Sequence, residues 1–354
     1  MFLETKLFEL KSTKTTNLSS TEGEISLTYL SFDSIKTLYN IPPMKIYAKK
    51  MQSLFLAARP KFFTASILPV FVGSALGYFV AGSFNIHLFV LATFAVVFIH
   101  AGANLANDYY DHKSRNDPFN KNVTPFSGGS RFIQNGILSP QTIITESLIS
   151  FLIGALIGVW IVYLTKSAII LFIGIFGIAG AFFYTAPPFK LGYRGLGEII
   201  IALLFGLLPV YAAYHLQTQA LDYKPLLPAL IVSILIFEII LINEFPDLPA
   251  DKAVNKKTLP VLFGISIAAK IYKLAIVAAY HFAGVILFKQ QLYVPGILFF
   301  LTLPLGILAI TYANKKDLAK PQYTRPNRLT VLLHLFGCLA LTIGFIIQAI
   351  YGKF

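Results

Sequence analysis

Charge is scarce in this sequence. Only 13% of its 354 residues are Asp, Glu, Lys or Arg, about half the roughly 25% usual for a soluble domain, and that shortage excludes a soluble globular enzyme. Cysteine is nearly missing as well. The single Cys338 lies in an apolar run, so neither a disulfide-stapled secreted fold nor a thiolate zinc site can be built. The six histidines form no HExxH pair, which argues against a zinc hydrolase. No GxGxxG string opens a helix and no P-loop occurs, so the common nucleotide-binding loops are lacking too.

Apolar residues are what the chain has in plenty. They make up 56% of it, with a mean hydropathy of +0.69. Nine apolar segments reach the roughly 17 or more residues needed to span a bilayer as helices: 62–82, 86–106, 143–164, 167–184, 198–216, 225–243, 265–288, 294–313 and 330–351. The expected fold is therefore all-α, a polytopic membrane protein of about nine transmembrane helices around a central cavity opening to the cytoplasmic side. The net charge of +13 is a topology signal and does not point to nucleic acid. With the N-terminus in the cytoplasm, 23 Lys and Arg fall on the inner side and four on the outer, as the positive-inside rule requires. The expected location is the cytoplasmic (inner) membrane.

Residues 1–50 are rich in Ser, Thr, Lys and Glu without a long apolar run and are expected to form a flexible tail. The first apolar stretch begins near residue 62, so no signal peptide is expected, and Met44 and Met51 are alternative start sites. Residues 51–354 are expected to be a single membrane-embedded domain. Within it, Gly154 and Gly158, and the series Gly174, Gly177 and Gly180, are expected to let helices approach closely.

The acids are few but clustered. Six of the 11 acids beyond the tail lie in two strings at the inner ends of the second and sixth spans. One reads Asn104-Leu-Ala-Asn107-Asp108-Tyr-Tyr-Asp111 and continues to Asp117; the other reads Asn243-Glu244-Phe-Pro-Asp247-Leu-Pro-Ala-Asp251. Asn104, Asp108 and Asp111 recur at i, i+4 and i+7, one face of a continuing helix. Asn243, Asp247 and Asp251 recur at i, i+4 and i+8, although Pro246 and Pro249 are expected to break or restart that helix. Carboxylates stacked on one face repel unless a cation lies between them. Oxygen donors without His or Cys point to a hard ion, Mg²⁺ or Ca²⁺. Lys113, Arg115, Lys121 and Arg131 lie beside the first cluster, and Lys252, Lys256 and Lys257 beside the second. Metal-binding acids next to phosphate-binding bases describe a phosphorylated substrate. A solvated acidic cap and a transporter are the alternatives, but a transporter would place its charges at the bilayer midplane. The 32 Phe and 18 Tyr exceed what interface belts need, and a cavity walled by them suits an isoprenoid or an allylic cation.

These strings resemble the intramembrane prenyltransferases of the UbiA superfamily. Asn107, Asp108 and Asp111, with Asp117, match that family's NDxxDxxxD-type motif, and Asp247 and Asp251 match its DxxxD. Arg59-Pro60-Lys61, the Tyr184–Glu198 string and Lys256-Lys257-Thr258-Leu259-Pro260 are further matches. The resemblance covers roughly 55–354 and is greatest to 1,4-dihydroxy-2-naphthoate polyprenyltransferases of menaquinone synthesis. It implies that Asp108, Asp111, Asp117, Asp247 and Asp251 hold Mg²⁺ against a polyprenyl diphosphate. Lys113, Arg131, Lys252 and Lys256 would neutralise the leaving pyrophosphate, with Arg59, Asn104, Asn107 and Asn243 also binding substrate. Tyr184 would shelter the allylic cation. Lys190 or Arg194 would hold the carboxylate of a small aromatic acceptor, best matched by the naphthoate, which loses CO₂. Other acceptors, such as 4-hydroxybenzoate, another quinone precursor, a chlorophyll-type acceptor or a lipid alcohol, remain open, and no nucleic-acid partner is implied.

The topology is directly testable. Reporter fusions at Lys166, Thr218 and Phe354 are expected to report the outer side, because the charge split favours that orientation; a cytoplasmic signal at Thr218 would invert the second half of the assignment.

Overall fold

A computed structural model describes residues 44–290, 292–314 and 316–352. Eleven helices carry the fold: α1 (Met44–Ala57), α2 (Thr64–Ala81), α3 (Ile86–Lys113), the short α4 (Asn116–Phe119), α5 (Pro140–Thr165), α6 (Ala168–Phe183), α7 (Gly197–Thr218), α8 (Leu226–Ala253), α9 (Leu259–Phe288), α10 (Tyr293–Tyr312) and α11 (Arg325–Tyr351). The described residues from Lys49 on form one compact unit, and Met44–Ala48, the first turn of α1, fall outside it. The expected tail thus lies, up to residue 43, outside the described residues.

Among the described residues, eight helices are long and apolar enough to cross a membrane: α2, α3, α5, α7, α8, α9, α10 and α11. The ninth expected span, α6, has 16 residues, about 24 Å at roughly 1.5 Å per residue, short of the ~30 Å hydrocarbon core. Large apolar side chains face outward along these helices, among them Leu152, Leu156 and Trp160 of α5 and Phe172 and Phe176 of α6. A belt of that kind is tolerable only in lipid. The chain is a multi-pass membrane protein.

Because lipid is as apolar as the helices, their association rests on close packing and buried polar bonds. The largest buried cluster joins α2, α7, α8, α9, α10 and α11, while α3 packs along α5. Gly73 of α2 abuts the Val210 carbonyl of α7, and a Cβ on Gly154 would meet Ile99 of α3 at 2.8 Å. Gly180 likewise touches Leu204. Gly158, Gly174 and Gly177, expected to play the same part, do not: no atom lies within 4 Å of the place where a Cβ would stand. They instead line an apolar chamber between α3, α5, α6 and α7. There the missing side chains make room where close contact was expected.

The helix irregularities gather near one end of the bundle. A π-helical turn, Leu203–Leu207, interrupts α7 just before Pro209, whose missing N–H disturbs the ladder there. Gly264 breaks α9 with φ 77° and ψ 162°, conformations that suit a residue without Cβ. In α8 the expected break fails to occur: the helix runs through both Pro246 and Pro249. Pro246 offers no N–H to the Ile242 carbonyl, but Asn327 Nδ2 of α11 donates to that oxygen at 3.1 Å and to Asn243 Oδ1 at 2.8 Å. Asn122 Nδ2 donates to the Pro246 carbonyl at 3.1 Å. The Asn327 side chain thus satisfies the carbonyl that Pro246 frees, which is what allows that proline inside a membrane helix.

This arrangement predicts a coupling. Asn327→Leu is expected to cost about 1–3 kcal/mol, the penalty for an orphaned buried carbonyl, read from thermal unfolding in detergent. In a Pro246→Ala background, where the helix again supplies its own donor, the cost should shrink.

Candidate active site

The acidic strings stay helical past the expected ends of their spans, and this decides where their side chains go. α3 continues to Lys113 and α8 to Ala253, so each presents its acids from one helix face. Between them lies a cavity of about 200 Å³. Arg59, Asn104, Asn107, Asp111, Asp117, Tyr184, Asn243, Asp247 and Lys256 all line it. Asp108 and Asp251 are buried immediately behind, 2% and 1% exposed.

Each of the five aspartates meets a donor. Asp108 pairs with the Arg59 guanidinium and accepts the Ser130 N–H at 3.2 Å. Asp111 accepts from Tyr193 Oη at 2.6 Å, Asn107 Nδ2 at 3.0 Å and Lys256 Nζ at 3.3 Å. Lys256 also lies 3.8 Å from Asp251, which accepts Asn116 Nδ2 at 2.9 Å. Asp247 accepts Asn120 Nδ2 at 2.7 Å, and Asp117 accepts Gln134 Nε2 at 3.4 Å. One ammonium thus ties the α3 cluster to the α8 cluster.

The cations are held by strained or fastened backbone. Arg59 adopts φ 57°, a left-handed conformation uncommon outside glycine and frequent at functional sites, and Asn104 Nδ2 grips the Ala58 carbonyl beside it at 2.9 Å. Lys256 sits in a loop bridged to the 185–196 loop through Arg194 and Lys257. Glu198 Oε1 accepts the Leu259 N–H at 2.6 Å, fixing the start of α9.

Burial disfavours charge on Lys256, but Asp111 and Asp251 more than offset it and hold its pKa well above the ordinary lysine value. Arg59 follows the same pattern, with burial opposed by Asp108 and Asp117. Asp117 goes the other way: burial, then the charges of Asp111 and Asp108, push it up to about 8. Tyr193 and Tyr184 are raised by burial, helped by Asp111 and Glu244 respectively, and stay protonated.

Among the described residues no three His, Cys, Asp or Glu side chains converge into a ready-made metal cage. The donor set nonetheless fits a hard divalent ion. Asp108 Oδ2 is buried without a hydrogen-bond partner, and Mg²⁺ commonly takes only one or two carboxylates plus phosphate oxygens.

Several expected cations stay outside. Lys113 and Lys252 are exposed. Arg194 is exposed and turns its guanidinium back onto the Phe189 and Pro188 carbonyls. Lys190 stacks 5.6 Å from the Tyr193 ring. Arg131 lies beside the cavity, bound to the Asp117 carbonyl at 2.5 Å, in an adjoining pocket that Arg59 also lines. Conversely, Tyr193, Asn116, Asn120 and Glu244 belong to the site although the sequence did not single them out as site residues. The i, i+4 spacing of Asn116 and Asn120 was a usable signal, but Tyr193 reaches Asp111 only through the folding of its loop.

His100, Ala181 and Phe205 line both this cavity and the apolar chamber of about 230 Å³ described above. Ser66 Oγ lies 2.6 Å from His100 Nδ1, and Phe205 packs edge-on against the ring at 4.7 Å. A polar, charged compartment therefore lies against an apolar one.

The sequence profile of the UbiA prenyltransferase family matches residues 66–336. A 1,4-dihydroxy-2-naphthoate octaprenyltransferase of Haemophilus influenzae is 30% identical over 85% of the chain and 99% of that protein. UbiA prenyltransferase domain-containing protein 1 of Xenopus tropicalis is 28% identical over 82% of the chain and 83% of its own length. The solved structure of a UbiA homolog from Archaeoglobus fulgidus bound to GPP and Mg²⁺ superposes with a TM-score of 0.57 at 17% identity, covering 83% of this chain and 98% of that one.

Asp117 makes stability depend on pH. Its carboxyl titrates near 8 in the folded protein and near the ordinary ~3.9 when unfolded, so the folded state holds the proton more tightly. Its destabilising effect is absent below pH ~4 and grows as pH rises toward 8. Without divalent ions, the unfolding temperature is expected to fall between pH 6 and 8.5, and Asp117→Asn to flatten that fall.

Proposed function

The chain belongs to the UbiA prenyltransferase family, and from that premise we propose that it transfers a polyprenyl group from its diphosphate to 1,4-dihydroxy-2-naphthoate, with loss of CO₂, giving demethylmenaquinol. The observation that carries the reading is a 200 Å³ cavity walled by opposed acids and cations, lying against a 230 Å³ apolar chamber with which it shares His100, Ala181 and Phe205 in its wall. The first suits a diphosphate and the second an isoprenoid. The naphthoate is supported by the Haemophilus relative, aligned over 99% of its length.

Asp108 and Asp111 of α3, Asp247 and Asp251 of α8, and Asp117 would hold Mg²⁺. Bound there, the ion supplies positive charge to the departing diphosphate. The protein's own groups do the rest. Lys256 and Arg59, kept protonated by the surrounding carboxylates, stand where charge develops as the allylic C–O bond gives its electron pair to the leaving group. Tyr184, Phe62, Phe126 and Phe205 line the same cavity, keeping water from the allylic carbon and offering ring faces to its charge. The electron-rich ring carbon that bears the carboxylate attacks, and departure of CO₂ returns its electron pair to the ring. Since Lys190 and Arg194 remain outside, Arg59 and Lys256 are the cations within the cavity for the acceptor's carboxylate.

Purified enzyme given Mg²⁺, geranylgeranyl or a longer prenyl diphosphate and the naphthoate is expected to form demethylmenaquinol and CO₂, detected by mass spectrometry. Turnover of 4-hydroxybenzoate or another acceptor, with none of the naphthoate, would reject this acceptor. Asp108→Asn and Asp247→Asn should each lower turnover by roughly 100-fold or more, as loss of an electrostatic group at developing charge does, and chelation should abolish it. Near-normal turnover in either case would refute the metal reading.

A further inference from the structure

Beside the cavity lies a second space of about 360 Å³ that the transfer chemistry leaves unassigned. Lys61 and Arg131 line it, and Arg59 forms part of the wall of both spaces. Arg59 is paired with Asp108, but the other two cations meet no carboxylate among the ion pairs of the described residues. Lys61 Nζ donates to the Pro125 carbonyl, and Arg131 Nη1 to the Asp117 carbonyl at 2.5 Å. Neutral oxygens thus orient these side chains and leave their charge unanswered. Burial, and then the charge of Arg59, press the Lys61 pKa below the ordinary lysine value, as happens to a cation beside another cation. Arg59 and Arg131 both take left-handed backbone, with φ 57° and 67°, conformations that cluster at functional sites and ligand clamps.

Three cations around one pocket suit an anion, and the surroundings narrow its kind. Leu56 and Val123 line the pocket and are exposed. Beside Leu56 on α1, Met51 and Phe55 are 71% and 61% exposed, while Leu54 and Ala57 of the same helix pack inward with Leu105 and Ile133. One apolar face of α1 therefore meets the protein and another turns outward, as in a helix that lies in a membrane interface. A free phosphate or diphosphate would answer the cations and cover none of that outward surface. A phospholipid would do both, with phosphate oxygens on Lys61 and Arg131 and its glycerol and acyl carbons along Leu56 and Phe55. Lys61 is itself exposed, so a headgroup reaches it from outside.

We infer that this pocket seats the phosphate of an anionic phospholipid from the leaflet at this end of the bundle, and that the lipid fastens the Arg59–Lys61 turn to the 123–132 loop. Both segments also wall the neighbouring cavity, for Arg59, Phe62, Phe126 and Gly129 line the two spaces in common. Headgroup binding thus braces one wall of that cavity from its outer side, whichever acceptor the enzyme prenylates.

The full-length protein in detergent is titrated with phosphatidylglycerol, phosphatidylcholine or inorganic phosphate, and lipid retention is read by native mass spectrometry beside the unfolding temperature. Phosphatidylglycerol should bind the wild type roughly tenfold more tightly than phosphatidylcholine and raise its unfolding temperature. Lys61→Gln should weaken phosphatidylglycerol roughly 5-fold, the worth of one basic side chain at an anionic lipid surface, and Lys61→Arg should retain the affinity. Val123→Glu, which sets a carboxylate on the exposed rim, should weaken it to a similar degree. Lys50 is an exposed lysine of α1 that does not line the pocket, so Lys50→Gln should change the affinity by less than about twofold. An equal loss in Lys50→Gln would mean diffuse attraction between a basic surface and acidic lipid and would overturn the site, as would equal retention of the two lipids. Stabilisation by inorganic phosphate that depends on Lys61, with none from phosphatidylglycerol, would give the pocket to a free anion and overturn the lipid. Each of these outcomes leaves the proposed prenyl transfer untouched.

Discussion

Five aspartates drawn together at the edge of a membrane cannot be left to one another. In a medium that screens poorly, like charges on α3 and α8 would force the helices apart. Lys256 stands between them, within 3.3 Å of Asp111 and 3.8 Å of Asp251, and Arg59 neutralises Asp108. Much of the surrounding backbone serves to keep those two cations in place. The left-handed turn at Arg59, the grip of Asn104 on Ala58, the bridge between Arg194 and Lys257 and the Glu198 anchor on Leu259 all act on the segments that carry them.

The same end of the bundle holds most of the departures from regular helix. Proline in α8, the π-turn in α7 and the Gly264 kink in α9 each free backbone groups that lipid could not satisfy. At α8 a side chain of α11 takes up the carbonyl that Pro246 frees. Further into the bundle, glycines without neighbours hollow out the chamber beside α6. Rigid, well-packed helices such as α2 against α7 and α11 hold the frame within which these irregular parts are tolerated. A cavity with a charged mouth and an apolar interior is the result.

The composition and the spacing of the acids made the fold class, the apolar segments and the two aspartate clusters legible in the sequence, because hydrophobic length and helical period are local properties. The residues that settle around those acids were only partly legible. Arg59 entered on resemblance and Lys256 as one of three lysines beside the second acidic string, and the structure seats both on carboxylates. Lys113, Lys252 and Arg194 carry the same charge a few residues away and point elsewhere.

Sequence alone determined that this chain lives in a bilayer, that its acids gather at two helix ends, and to which family its motifs are similar. Tertiary structure decided the rest: that the acids of α3 and α8 face one cavity, that α8 survives Pro246 through Asn327, that Gly158, Gly174 and Gly177 open a chamber, and that Tyr193 reaches Asp111. The physical reason is the same in each case. A hydrogen bond or a void between segments more than 40 residues apart depends on which helices become neighbours, and no local pattern in either segment encodes its partner.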